Sequence, residues 1–238
     1  MNKTYAFSDL HGNLDLWKHI QNFLDDSDMA FCLGDCCDRG LYGIKIMQDI
    51  LNDSRITYLQ GNHERMFLNG IAANNSNNVF GAYDYLLWMH NGGSPTADLF
   101  YNLPDEEQVK LYDEIYKLKY SCVYINKNDK IVFLSHAGCQ PSQAHLDPAT
   151  ETKYDYLWNR NHIDLAWDKS PEFDDLVIVH GHTPVQYIMQ DEKYEKILKY
   201  CNNHKIDIDI GAYVSNVTVL LDLDTFEPIY FNTKGRIK

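Results

Sequence analysis

No apolar run in the sequence approaches the roughly 20 residues that cross a bilayer. The opening residues, MNKTYAFSDLHG, also lack the apolar core of a signal peptide. Both absences point to a soluble, cytoplasmic protein with no membrane partner. Basic residues are scarce, with 21 Lys and Arg against 34 Asp and Glu, a net charge of −13. A broad nucleic-acid surface needs clustered cations, so that class is excluded. An anionic small substrate is not, because a buried metal pair reverses the sign of the field locally. The six cysteines (32, 36, 37, 122, 139 and 201) form no CxxC pair and no Cys/His pair at zinc-binding spacing. In a reducing compartment they stay thiols. No internal repeat or low-complexity linker breaks the 238 residues, which suit a single domain.

What is present is a series of short apolar runs, each ending in polar residues. Thr4–Phe7 leads to SDLHG, Met29–Leu33 to GDCCDRG, and Ile56–Leu59 to QGNHE. Ile131–Leu134 leads to SHAG and Leu176–Val179 to HGHTP. Such runs read as buried strands. Helical stripes fall between the early ones, at Leu14, Trp17, Ile20 and Leu24 and at Ile44, Met47 and Leu51. The pattern predicts an α/β sandwich, largely parallel at first and antiparallel later. Two hairpins are expected, one joining Cys122–Ile125 to Ile131–Leu134, the other joining Ile206–Ile210 to Val217–Leu223. From about residue 72 to 120 the pattern is mostly helical: a loop at Asn74–Asn78, a helix over Val79–His90, and another over Leu103–Lys119. The last has Asp105 as N-cap and Val109, Tyr112 and Tyr116 as its apolar face. This stretch reads as an insertion within one domain spanning 1–238.

Ligand sites in open α/β sheets form beyond the carboxyl ends of strands. Five such ends carry the same kind of residue: Asp9 with His11, Asp35 with Asp38 and Arg39, Asn62 with His63, His136, and His182. A single histidine at a turn is usually just hydrogen-bonded there; five converging strand ends carry more weight. Carboxylate, carboxamide and imidazole without thiolate suit borderline divalent ions such as Mn, Fe or Zn. Asp9-x-His11 in an extended segment puts both side chains on one side. Asp35 has two oxygens with which to bridge two ions, and Asn62 adds a neutral one. His180 stands two residues before His182 and reads as packing or support for the ligand. His19, His90, His145, His162 and His204 lack a motif and read as surface or loop residues, and Trp88, Trp158 and Trp167 as packing.

In this order SDLHG, GDCCDRG, GNHE, SHAG and GHTP resemble the phosphoprotein phosphatase branch of the calcineurin-like metallophosphoesterases. WMHNGG and LWNR between them are similar to the small bacterial and phage serine/threonine phosphatases. The resemblance runs from about Tyr5 to Leu221 and implies a β-sandwich of mixed sheets flanked by helices. It implies two divalent ions, Mn first and Fe or Zn otherwise. Asp9, His11 and Asp35 would hold one, and Asp35, Asn62, His136 and His182 the other. Arg39 and Arg160 would clamp phosphate, and His63, oriented by Asp38, would protonate the leaving group while metal-bound hydroxide attacks. The substrates implied are phosphoserine and phosphothreonine proteins, with phosphotyrosine and small phosphoesters as extensions. A diadenosine tetraphosphate or other nucleotide hydrolase on the same framework is the alternative, and a non-catalytic phosphate-binding scaffold a third. Departures from the family pattern are Ser8 for a glycine, Leu41 for a proline and Ile210 for a threonine. In GDCCDRG, then, the carboxylates and arginine carry the chemistry, and Cys36 and Cys37 fill spacer positions.

Overall fold

The computed structural model of the protein describes residues 2–75, 79–144 and 155–237. Strand β1 (Thr4–Phe7) sets the layering, because its side chains alternate across the sheet. Tyr5 and Phe7 join one apolar cluster and Ala6 another, so both faces of this strand are covered. Helix α1 (Leu14–Phe23) leads to β2 (Met29–Cys32), and α2 (Gly43–Asn52) to β3 (Ile56–Tyr58). These three strands pair in parallel. Asn13 caps α1 by accepting a hydrogen bond from the Leu16 amide at 3.3 Å. Leu16, Trp17 and Ile20 then face the sheet. Trp17 is fully buried, and truncating it to alanine would cost about 3–5 kcal/mol.

Four helices follow: α3 (Asn62–Asn75), α4 (Val79–His90), α5 (Ser94–Tyr101) and α6 (Asp105–Tyr116). The expected Val79–His90 helix is present with those bounds. Of the expected loop at 74–78, Asn74 and Asn75 instead end helix α3, and residues 76–78 lie outside the described residues, as does His145. Helix α6 differs from expectation. Its first residue is Asp105, which follows Pro104 without capping, and Leu111 and Ile115 are its buried residues. Val109 and Tyr116 are exposed. The helix carries two apolar stripes, and packing selected the 111/115 one.

The chain continues through β4 (Ser121–Ile125), β5 (Ile131–Ser135), α7 (Asp155–Trp158), β6 (Leu176–His180) and α8 (Val185–Met189). Then come β7 (Leu198–Tyr200), β8 (Lys205–Asp207), α9 (Ala212–Ser215), β9 (Val217–Asp222), β10 (Pro228–Asn232) and β11 (Gly235–Arg236). Two mixed sheets result, ordered β11-β10-β9-β1-β2-β3 and β4-β5-β6-β8-β7. The β4–β5 hairpin is present. The later half is not simply antiparallel, since β5, β6 and β8 run parallel. Nor do residues 206–210 and 217–223 form a hairpin, because β8 and β9 belong to different sheets. Gly211 and Asn216, both at positive φ, bracket α9 and turn the chain from one sheet to the other. Both apolar runs still pack into the same layer between the sheets, with Ile206, Ile208, Val217 and Val219. Helices α1, α2, α3, α5 and α6 cover the outer face of the first sheet. Among the described residues, no helix is long and apolar enough to cross a membrane.

Candidate metal centre

The loops beyond β1, β2 and β6 are built from backbone that L-residues seldom adopt. Asp9, His11, Asp35, Asp38, Arg39 and His182 all have positive φ, between 43° and 74°. Asp9-Leu10-His11 is therefore a left-handed turn, not the extended segment its spacing suggests. Such conformations cost on the order of 1–3 kcal/mol each and persist only where surroundings impose them. Here the imposing contacts are main-chain bonds between loops: Asp9 N to Gly34 O at 3.0 Å and His11 N to Asp35 O at 3.0 Å. Gly34, at φ 100°, lies so close to the Gly61 backbone that a Cβ would collide with it.

These turns bring the expected residues together. Asp35 Oδ2 lies 3.4 Å from His136 Nε2, 3.8 Å from His11 Nε2 and 3.8 Å from His63 Nε2. Asn62 Oδ1 lies 2.8 Å from both His136 Nε2 and His182 Nδ1. Among the described residues, two groups are close enough to hold an ion, His11–Asp35–His63 and Asp35–His136–His182, with ligand atoms within 4.8 Å of one another. Asp35 is common to both. Asp9 stands just behind them, its Oδ2 accepting from the Ser8 hydroxyl and, at 3.1 Å, from the His182 amide. The serine that replaces glycine in SDLHG thus supplies a bond that sequence gave no reason to expect. His63, expected as an acid, also faces Asp35.

The donor arrangement fits a cation. Nδ1 of His11 faces the Cys37 carbonyl at 3.1 Å, and Nδ1 of His136 faces the Leu33 carbonyl at 2.9 Å. A carbonyl can only accept, so each Nδ1 carries a proton and Nε2 is the atom each ring turns toward the centre. His136 Nε2 faces the oxygens of Asp35 and Asn62, an arrangement that either a proton on that nitrogen or a cation between them satisfies, while His11 Nε2 accepts from Arg39. Titration reflects the same crowding. Burial acts to lower His136, but Asp35 and then Asp9 outweigh it and lift it to about 9. Burial pushes Asp9 up to about 6, with Asp35 adding to the rise against the pull of His136. Burial and neighbouring His63 hold His11 well below its usual value, and burial and His136 do the same to His182.

Around this core, His63 Nδ1 meets Asp38 Oδ2 at 2.7 Å, which leaves Nε2 toward the centre. Arg39 reaches from the mouth, its Nη1 donating to His11 Nε2 at 2.8 Å and its Nη2 to His63 Nε2 at 3.1 Å. Arg160 is exposed and donates from Nε to Thr183 Oγ1 at 3.2 Å, beside His182. Three residues not expected at the site hold it in shape. Glu64 is fully buried and accepts from the amides of Asp35 and Cys36, both at 2.8 Å, of Gly61 at 2.9 Å, and from Tyr58 Oη at 2.7 Å. Trp88 Nε1 donates to both Asp38 oxygens at 3.0 Å, and Thr96 Oγ1 accepts from the Asp38 amide at 2.9 Å. The glutamate of GNHE was the available signal for the first. Trp88 opens WMHNGG, the one signal for the second, and no motif covers Thr96.

A comparison with curated proteins finds no match. Solved structures share the fold across nearly the whole chain. A candidate diadenosine tetraphosphatase is 14% identical at a TM-score of 0.61, covering 96% of this chain and 92% of that one. The cold-active protein-tyrosine phosphatase of a psychrophilic Shewanella is 19% identical at 0.59, covering 100% and 80%. A protein serine/threonine phosphatase of Saccharomyces cerevisiae, described as similar to human phosphatase PP5, is 15% identical at 0.55, covering 93% and 73%. At these identities the likeness concerns the fold. The sequence pattern of one family spans residues 3–212, and with it the whole constellation of Asp9 to His182: the chain belongs to the calcineurin-like phosphoesterases.

Proposed function

We propose that this hydrolase is a phosphomonoesterase of the phosphoprotein phosphatase branch, acting on phosphoserine and phosphothreonine and, more slowly, on phosphotyrosine and small phosphoesters. The observation that carries the reading is the buried Asp38–His63 pair beside the two ligand groups, with Arg39 lying across its Nε2. In that reading Asp9, His11 and Asp35 hold one ion, and Asp35, Asn62, His136 and His182 the other. Two divalent ions, Mn by preference, would supply Lewis acidity and an activated water for in-line attack at phosphorus. Arg39 and Arg160 grip the equatorial phosphate oxygens, where a planar guanidinium offers paired donors. Gripping phosphate requires Arg39 to exchange its contacts with His11 and His63 for substrate oxygens. His63 delivers a proton from Nε2 to the departing alkoxide, while Asp38 holds the ring by Nδ1.

We read residues 1–238 as one catalytic domain with a helical insertion at about 72–120. Trp88 and Thr96, which bond Asp38 from within that stretch, support this. We also place the enzyme in the cytoplasm, a reading supported by six free thiols. A nucleotide hydrolase is the competing assignment. The test is turnover of a phosphoserine peptide beside diadenosine tetraphosphate with Mn, for wild type and His63→Asn. Faster peptide cleavage by wild type, and a variant that keeps its metal but slows about 10²-fold or more, are the expected results. Preferential cleavage of the dinucleotide would overturn the substrate class, and an unaffected His63→Asn rate would overturn the acid.

A further inference from the structure

Behind the centre lies a second group of ionisable side chains that the reaction does not use. His162, His180 and Lys205 are completely buried there, with Tyr200 between them. His162 does not sit on the surface or in a solvated loop, as its lack of a motif suggested. Its Nε2 meets the Ala137 carbonyl at 2.6 Å. The ring therefore donates at Nε2 and accepts at Nδ1, which faces Tyr200 Oη at 3.4 Å and Lys205 Nζ at 3.5 Å. Lys205 Nζ also donates to the carbonyl of His162 itself at 2.8 Å. His180 has the opposite tautomer. Its Nδ1 donates to the Gly181 carbonyl at 3.0 Å, and its Nε2 accepts from the Tyr200 hydroxyl at 2.7 Å. Burial holds that hydroxyl protonated. The two imidazoles meet edge to face, with centroids 4.9 Å apart at 89°.

The carbonyls they bind belong to the neighbours of two proposed ligands. Ala137 follows His136, and Gly181 precedes His182. The two loops are already joined by the Gly181 amide donating to the His136 carbonyl at 2.8 Å. Gly138 packs flush on both rings, since a Cβ there would come within 2.9 Å of His162 Cε1 and His180 Cγ. Every polar atom of the two imidazoles thus has a partner, and each ring grips one loop.

We propose that His162 and His180 are positioning residues: a pair of imidazoles of fixed, opposite tautomer that sets the separation of the 136–138 and 180–183 loops, so that His136 and His182 converge on Asn62 Oδ1 and one cation. The inference rests on the two-ion reading above. It predicts that the pair governs affinity at one of the two ions and leaves the other nearly unchanged.

Calorimetric titration of Mn into metal-stripped, full-length protein tests this without recourse to turnover. Wild type binds two Mn. Losing such a supporting bond typically weakens metal affinity about 10–100-fold, and His162→Phe does so at one ion while the other stays within about threefold. His162→Gln, whose amide reaches the Ala137 carbonyl, recovers most of the loss. Tyr200→Phe removes only the hydroxyl that faces His180 and weakens the same ion by a smaller factor, so it decides the matter if His162→Phe does not fold. Unchanged affinities in the Phe variants overturn the inference. So does equal weakening of both ions with a parallel fall in thermal stability, or a Gln variant no better than Phe. Wild type that takes up fewer than two Mn overturns the two-ion reading itself.

Discussion

The two sheets each supply half of the centre, and they hold their halves by different means. On the first sheet, Asp9, His11, Asp35, Asp38 and Arg39 sit in left-handed turns locked by main-chain bonds and by the Glu64 carboxylate. On the second, His136 follows β5 directly, and both the His136 and His182 loops rest on buried imidazoles. The first half stores backbone strain and spends acceptors on amides. The second relies on side-chain packing, with strain only at His182. Precision at a site can come from either source, but the two should fail differently when cut.

The deepest cut is at the carboxylate the halves share. Asp35→Asn removes the charge that three imidazoles face, and we expect kcat to fall about 10³-fold or more with loss of both ions, read by metal analysis and turnover of an aryl phosphate. Next comes a contrast between the arginines. Arg39, partly buried against two histidines, should lose about 10²–10³-fold in kcat/KM on Arg39→Ala. Arg160, exposed on the second half, should lose about 10–10²-fold on Arg160→Ala. Equal losses would erase the distinction between the halves. A smaller effect, seen in stability instead of rate, belongs to Glu64→Gln. The new amide group faces N–H donors, and urea unfolding should register a loss of about 2–3 kcal/mol. The least effect is a matter of order. Burial raises the Cys36 and Cys37 thiols well above their usual value, so iodoacetamide should label the half-exposed Cys122 and Cys201 first.

Legibility in the sequence also divides by region. The five strand ends could be read because apolar run, glycine and ligand lie next to one another along the chain. In GDCCDRG, Cys36 and Cys37 pack in the core with no exposure, Asp35 and Arg39 lie against the histidines of the centre, and Asp38 backs His63. What escaped reading depends on contacts between distant segments. The tie from Trp88 to Asp38 spans 50 residues, and that from Lys205 to His162 spans 43. A lone histidine such as His162 carries no local sign that a carbonyl 25 residues earlier awaits its proton. The same limit explains the mistaken hairpin. Alternating apolar residues in 206–210 and 217–223 announce two strands facing one layer, but not that the strands lie on opposite sides of it.

Asn62 Oδ1 lies against one histidine 74 residues later and another 120 residues later. Closing loops of that size is entropically unfavourable, so these contacts form only once both sheets have docked. A partly folded chain therefore offers an ion only scattered single ligands. Capture at this point is selective for the finished sandwich and stabilises it in proportion to RT ln(1 + [ion]/Kd). The proposed cofactor would in that sense also be a latch, binding only where the two sheets meet and stabilising their docking.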